Sequence, residues 1–437
     1  MRSNRLLALA LLPSLAASVH AAEPASPIAL WTAAETAEKA GDHRAAASGF
    51  DEAARALPGH PAPALHAARA YLALGEEKSA TERMERALTV GTVLAEDDIL
   101  RTLPPGSWSA GSAANADAIS PSSVERVVPD RTLIAESIAF DPTDGSIYVG
   151  SLYHRKVLRV DRQGRSSDFI LSGRDQLQQV LGIKIHPSRR ELWVNSCDTG
   201  GRPPMVGSDP ERRGTAAVFR YDRADGRLIR KYEAADAPAD LCFNDLAFAN
   251  EYVYLTAGAH GVFRVTPDAP VVERLVAPSG HSFNGIASSP DGQRIYLADG
   301  LAGIVLLDPV AATLKTLAAK TPVALAGIDG LYVHRGSLIG IQNGLTRWIP
   351  NRVVRARLGV DGRVIESVEV LERNHPLYDW PTTGAIAGDD LLYIANSQLR
   401  SFDETNSILP EGRLHPTYIL RLDLDLGGGV HPVAPPR

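Results

Sequence analysis

One short pattern recurs six times in the 437-residue chain: a variable residue, usually followed by Gly or a small polar residue, then apolar alternation. In order it reads Glu136-Ser-Ile-Ala-Phe, Leu181-Gly-Ile-Lys-Ile, Asn244-Asp-Leu-Ala-Phe, Asn284-Gly-Ile-Ala-Ser, Asp329-Gly-Leu-Tyr-Val and Thr383-Gly-Ala-Ile-Ala. About ten residues after each start comes a second apolar run: Ile147-Tyr148-Val149, Leu192-Trp193-Val194, Val253-Tyr254-Leu255, Ile295-Tyr296-Leu297, Leu338-Ile339-Gly340 and Leu392-Tyr393-Ile394. A third run follows, often ending in Asp, as in Val157 to Asp161 and Ile304 to Asp308. Turn residues such as Pro290-Asp291-Gly292-Gln293 separate the runs. Six units of short antiparallel strands at this spacing predict a mainly β fold, a six-bladed β-propeller over 124–437. A two-sheet sandwich has no reason to repeat one motif. Val124 to Val128 precedes the first unit and is expected to supply the outer strand of the sixth blade, closing the ring.

The first position of the motif carries the chemistry. In a propeller the first strand of each blade lines the central channel, so the six motif residues share one mouth. They read Glu, Leu, Asn, Asn, Asp and Thr. Glu136, Asn244, Asn284 and Asp329 are hard oxygen ligands of the kind calcium takes. Their summed charge of about −2 balances one divalent cation. No His or Cys holds a motif position, which argues against zinc or copper. Asn-Gly and Asp-Gly are also common turn pairs, so Asn284 and Asp329 alone would say little. Glu136-Ser and Asn244-Asp are not turn pairs before a strand. Four oxygen ligands leave room around calcium for water or a substrate.

At these residues the chain resembles the regucalcin–gluconolactonase family of six-bladed propellers, over roughly Val124 to Asp425. That family opens its first blade with Glu, carries Asn before Asp, and opens later blades with Asn-Gly and Asp-Gly. Glu136, Asn244, Asn284 and Asp329 match these, and the stretch from Asn284 to Asp299 matches best. The resemblance implies a calcium ion or another divalent cation held by Glu136, Asn284 and Asp329. It implies that Asn244 holds the metal or the substrate, and that Asp329 doubles as general base. Two departures stand out. Cys242 replaces a substrate-binding Arg, and Glu136-Ser-Ile-Ala-Phe replaces Glu-Gly-Pro-x-Trp. The metal site is therefore expected, and a sugar-lactone substrate is not.

Around the mouth, two long loops are expected to form walls or lids, Ser196 to Gly214 and Ser397 to Pro416. Their Arg202, Arg212, Arg213, Arg400 and Arg413 could bind a substrate carboxylate. His154, His260 and His281 fall near the same mouth, and His281, three residues before Asn284, is the best placed to touch substrate. Cys197 and Cys242 are the chain's two cysteines, and a disulfide between them and a pair of buried thiols both fit.

The N-terminus reads as a secretory leader over 1–22. Arg2 and Arg5 precede the apolar Leu6 to Leu12, and Val19-His20-Ala21 offers a small-residue cleavage site. This predicts a periplasmic or secreted protein. Residues 27–103 are Ala-rich with helical spacing. Gly41, Ala46, Phe50 and Ala53 recur 34 residues later as Gly75, Ala80, Met84 and Ala87, the tetratricopeptide period. Two such repeats bury little core alone, so they are expected to dock on the next domain or to pair between chains. Residues 104–123 read as a linker. The net charge of −6 gives no case for nucleic acid or a membrane surface. Two functions fit. One is a calcium-dependent hydrolase of a small-molecule lactone or ester, with Asp329 and Asn244 as catalytic groups. The other is a non-enzymatic exported binding protein, its metal structural and its helices open to a protein partner.

Overall fold

The structure is a computed structural model and describes residues 26–198, 205–207, 216–234, 237–278 and 280–425. The proposed leader, the chain beyond 425 and most of the first long loop, with Arg202, Arg212 and Arg213, lie outside the described residues.

The chain opens with four helices, α1 (Pro27–Lys39), α2 (His43–Ala56), α3 (Pro61–Ala73) and α4 (Glu77–Thr89). Ser26 and Asp42 cap the first two by accepting from the N–H of Ala29 and Ala45. The 34-residue offset is physical. Gly41 and Gly75 end α1 and α3 at φ 76° and 73°, the left-handed conformation that glycine adopts without penalty. Ala46, Phe50 and Ala53 are buried, as are their counterparts Ala80, Met84 and Ala87.

These helices dock on the propeller. Val90 packs against Ala324, Ala326, Leu345 and Ile349. Val93 N–H donates to the Trp348 carbonyl at 2.8 Å, and the Trp348 ring meets His60 at 5.7 Å. The stretch whose composition suggests a linker contains α5 (Ser109–Ala116). Asn115 Nδ2 donates to the carbonyls of Leu88 and Thr92 at 2.8 Å each, and Arg373 Nε donates to the Asp117 carbonyl at 2.7 Å. Small residues here permit close packing rather than slack.

Six sheets follow among the described residues. β1 (Ser123–Val128) is the first strand in the chain. Blade one is β2 (Ala135–Phe140), β3 (Ile147–Ser151), β4 (Lys156–Val160) and β5 (Ser166–Ile170). Blade two is β6 (Gln179–Ile185), β7 (Glu191–Cys197), β8 (Ala217–Asp222) and β9 (Leu228–Glu233). Blade three is β10 (Leu246–Ala249), β11 (Tyr252–Thr256), β12 (Val262–Thr266) and β13 (Val271–Val276). Blade four is β14 (Phe283–Ser288), β15 (Ile295–Asp299), β16 (Gly303–Asp308) and β17 (Thr313–Thr316). A short β18 (Ala318–Ala319) pairs parallel at the edge of blade five, whose other strands are β19 (Ile328–His334), β20 (Ser337–Gln342), β21 (Arg352–Leu358) and β22 (Val364–Arg373). Blade six is β23 (Gly384–Ala387), β24 (Asp390–Ile394) and β25 (Thr417–Asp423), and β1 is its fourth strand. The chain is a six-bladed β-propeller, closed by the strand expected to close it. Pairing its two ends removes the free edges that would otherwise recruit other chains.

The core lies between blades. Trp193 and Cys197 of blade two pack on Phe243 and Phe263 of blade three, and Tyr296 and Leu306 of blade four pack on Leu331 and Leu338 of blade five. Among the described residues no helix is long and apolar enough to cross a membrane.

Candidate metal centre

The recurrent motif marks a β-bulge. In blade one the register breaks between Ala135 and Ser137, which leaves Glu136 as the extra residue. Leu181 with Gly182, Asn284 with Gly285, and Asp329 with Gly330 fall in the same break in blades two, four and five. In blade three Thr256 serves both members of the pair, accepting from Asn244 N–H at 2.8 Å and donating to the Asp245 carbonyl at 3.1 Å. A bulge re-aims a side chain that a regular strand would send elsewhere. The glycines have a second reason. A Cβ on Gly182 would stand 2.7 Å from the Asn244 carbonyl oxygen, and one on Gly285 would run into the Asp329 carbonyl.

The bulges are also tied to one another around the ring. Ser137 Oγ donates to the Leu181 carbonyl, and Gly182 N–H to that of Asn244 at 2.8 Å. Thr256 Oγ1 donates to the Asn284 carbonyl. Gly330 N–H reaches the Thr382 carbonyl at 3.3 Å, and the hydroxyls of Thr382 and Thr383 return to the Glu136 carbonyl at 2.8 and 2.9 Å. Four motif residues, Glu136, Leu181, Asn244 and Asn284, thus accept cross-ring bonds on their main-chain carbonyls, which leaves their side chains for the channel.

Three carboxylates meet there. Glu136 is pushed well above its usual pKa, first by burial and then by the charges of Asp329 and Asp245. Asp329 is pushed up to about 6 by burial and Asp245, while hydrogen bonds from Asn343 and Asn284 pull the other way. Asn343 Nδ2 holds Asp329 Oδ2 at 2.6 Å and the Pro381 carbonyl at 2.7 Å. Asn244 Nδ2 donates to the Phe283 carbonyl at 3.0 Å, which fixes that amide beside the blade that carries Asn284. Asp245 Oδ1 accepts Leu246 N–H at 2.9 Å and pairs with Lys184 at 3.3 Å. Lys184 Nζ in turn stands 4.8 Å above the Tyr332 ring.

What decides the character of this channel is what these acids lack. Glu136 Oε2, Asp245 Oδ2 and Asp329 Oδ1 are buried and have no hydrogen-bond partner. Buried carboxylate oxygens are normally satisfied, and leaving them unsatisfied is costly. Oxygen-only donors with net negative charge suit a hard divalent cation, and the residues present therefore fit one.

Among the described residues, the one set of three His, Asp or Glu side chains with ligand atoms within 4.8 Å of one another is His334, Asp389 and Asp425, at the other end of β19. The Arg335 guanidinium already pairs with both of those acids at 2.6 Å. The channel carboxylates are more widely spaced.

Asp245, Lys184 and Asn343 were not among the residues singled out by sequence. Asp245 sits where other motifs carry Gly or Ser, and Lys184 where most carry Ala or Ile. Those odd members of the repeat were the available signal. His281 lies at the mouth but pairs with Asp299 at 3.2 Å and stacks on Phe283 at 5.2 Å. Burial of Asp299 is outweighed by His281 and by three backbone N–H groups, which lower its pKa. His154 bonds Thr132 at 2.8 Å, and His260 pairs with Asp240 at 3.2 Å. Cys197 and Cys242 form a disulfide with Cα atoms 5.4 Å apart. It ties the segment before Asn244 to the end of β7, and it fits an oxidising compartment.

The loop after β24 forms part of the mouth. Its Leu399, Phe402 and Ile408 pack with Ile134, Leu152, Tyr153 and Leu181.

No family model and no curated protein matches the chain. Solved structures do. A gluconolactonase from Xanthomonas campestris is 17% identical over 71% of this chain and 93% of that one, with a TM-score of 0.45. A virginiamycin B lyase from Staphylococcus aureus is 13% identical over 68% and 97%, with a TM-score of 0.46. A glucose dehydrogenase is 14% identical over 69% and 98%, with a TM-score of 0.47. The likeness is one of architecture.

Proposed function

We propose that the channel holds a calcium ion or another divalent cation and hydrolyses a lactone or ester of a small molecule in the periplasm or outside the cell. The observation that supports this reading is that Glu136, Asp245 and Asp329 each keep a buried oxygen without a hydrogen-bond partner, and that the charges of Asp329 and Asp245 act on Glu136. Glu136, Asp329, Asp245 and the amide oxygens of Asn244 and Asn284 would hold the ion. When bound, such an ion polarises a carbonyl and offsets negative charge on its oxygen.

The rest falls to the chain. Asp329 is oriented by Asn343 through Oδ2, which leaves Oδ1 to take the proton of the attacking water. Its pKa is pushed up to about 6 in the metal-free channel, and a bound cation would lower it, so the carboxylate is in its basic form at neutral pH. Asn244 commits one N–H to Phe283 and retains another for the oxyanion. The ester or lactone gains water across its acyl bond and leaves as a hydroxy acid, or as an acid and an alcohol. Glu136 takes up a proton readily in the metal-free channel, so metal affinity is expected to fall as pH drops.

The test is elemental analysis of the purified protein, followed by turnover of a lactone and ester panel with and without chelator. Chelator-sensitive turnover that disappears in Asp329→Ala supports the reading. A tightly held cation with no turnover on any substrate would replace it with a ligand-holding protein.

A further inference from the structure

The rim of the channel between blades five and six is strained, although nothing in the ring closure requires it. Trp380 adopts φ 63° and Gln398 φ 58°, conformations rare for residues with large side chains. Both are locked in place. The Trp380 carbonyl accepts Ser397 Oγ at 2.7 Å and Ser397 N–H at 3.3 Å. Gln398 clasps the main chain of His415 through Oε1 at 2.8 Å and Nε2 at 2.9 Å. Such strain persists only where the surroundings impose it, and it clusters where ligands are gripped.

What the strained turn presents is a planar cation on an aromatic plate. The Arg400 guanidinium carbon lies 3.7 Å from the centre of the Trp380 ring. The guanidinium is exposed, and among the described residues its contact is the Trp380 ring, with no ion pair to a carboxylate. Stacking holds it flat and leaves its in-plane N–H donors free, the arrangement that matches a carboxylate. Its position relative to the channel is fixed by one residue. Trp380 precedes Pro381, whose carbonyl shares Asn343 Nδ2 with Asp329 Oδ2, at 2.7 and 2.6 Å. The plate therefore stands one residue from the hydrogen bond that orients the proposed base.

We propose that Trp380 and Arg400 form an anion clamp at the channel mouth, and that the substrate is a lactone or ester bearing a carboxylate away from its reacting carbonyl. This rests on the hydrolase reading of the channel. It adds a substrate class, and with it a reason for a free cation beside an acidic channel. Arg400 holds the remote carboxylate while Asp329 faces the acyl carbon, so specificity resides in blade six and chemistry in blade five.

Matched substrates test this. Phenyl acetate and 4-acetoxybenzoate differ by one carboxylate far from the ester, and γ-butyrolactone and 5-oxotetrahydrofuran-2-carboxylate differ by one on the carbon that bears the ring oxygen, across the ring from the carbonyl. The wild-type chain should prefer the carboxylated member of each pair. Arg400→Gln should lower kcat/KM for that member at least tenfold, through KM, and leave the neutral member within twofold. Trp380→Ala should reproduce that pattern, because the guanidinium loses its plate. Equal losses on both members, or no loss on either, would overturn the clamp. Benzoate binding, followed by calorimetry, gives an answer independent of turnover. Saturable binding that Arg400→Gln abolishes supports the clamp even if no ester is cleaved, which would sink the hydrolase reading alone. Benzoate binding that is absent, or the same in both proteins, counts against it.

Discussion

Asp329→Asn should make the metal-free protein more stable while it removes activity. Asp329 is 5% exposed, and its carboxyl rises from 3.8 to about 6 on folding. The folded state binds the proton more tightly than the unfolded chain, so stability falls as pH rises through this window. The cost is absent below about pH 4 and complete above about pH 6. A gap of roughly two pKa units corresponds to about 3 kcal/mol. Asparagine keeps the shape and an oxygen to accept from Asn343, but it carries no charge to bury. In chelator at pH 8 the variant should gain up to about 3 kcal/mol, with little difference from wild type at pH 4. Denaturant unfolding followed by circular dichroism measures this directly. Added calcium should reverse the order, since it stabilises only the chain that binds it. A variant that is less stable than wild type in chelator at pH 8, or whose difference ignores pH, would refute the claim that Asp329 is a strained, charge-burying ligand.

Other outcomes follow from the same geometry. Gly285→Ala drives a methyl group into the Asp329 carbonyl and should cost about 1–3 kcal/mol, with a loss of metal affinity larger than Gly→Ala changes at open turns produce. Replacing Cys197 and Cys242 with Ser opens a 45-residue loop, worth about 4 kcal/mol in the chain-entropy account. It should also speed amide exchange at Asn244 and Asp245, which deuterium exchange with mass spectrometry would detect. Trp348→Ala leaves a hole where the helices meet blade five and should cost about 3–5 kcal/mol, read as faster proteolysis in the helical segment before the propeller is cut.

The blades were legible because each bulge constrains residue choice. In blades two and four the residue after the motif start must be small enough to pass the neighbouring carbonyl, and Gly182 and Gly285 record that need at a fixed place in the repeat, while Gly330 makes room for the Tyr332 hydroxyl. The closing strand was legible because an unpaired apolar run before the first blade has one place to go. Less was visible where function departs from the repeat. Asp245 looked like the partner half of an Asn-Asp motif, although its orphan oxygen joins the channel. Asn343 orients Asp329 from a loop in the same blade, and spacing along a chain does not encode such a reach. The helical docking hinges on Trp348 and the hydrogen bonds of Arg373, single residues with no periodic signature.

The strand that seals the ring is synthesised first and waits for the last. Ser123 finds its partner in Arg421, near the far end of the chain. Contacts of such long range form slowly, because so much chain must first be ordered. Until then blade six lacks its outer edge, and the Glu136 carbonyl waits for the hydroxyls of Thr382 and Thr383. A nascent or truncated chain that ends short of β25 therefore leaves β1 without its partner, and the circle stays open.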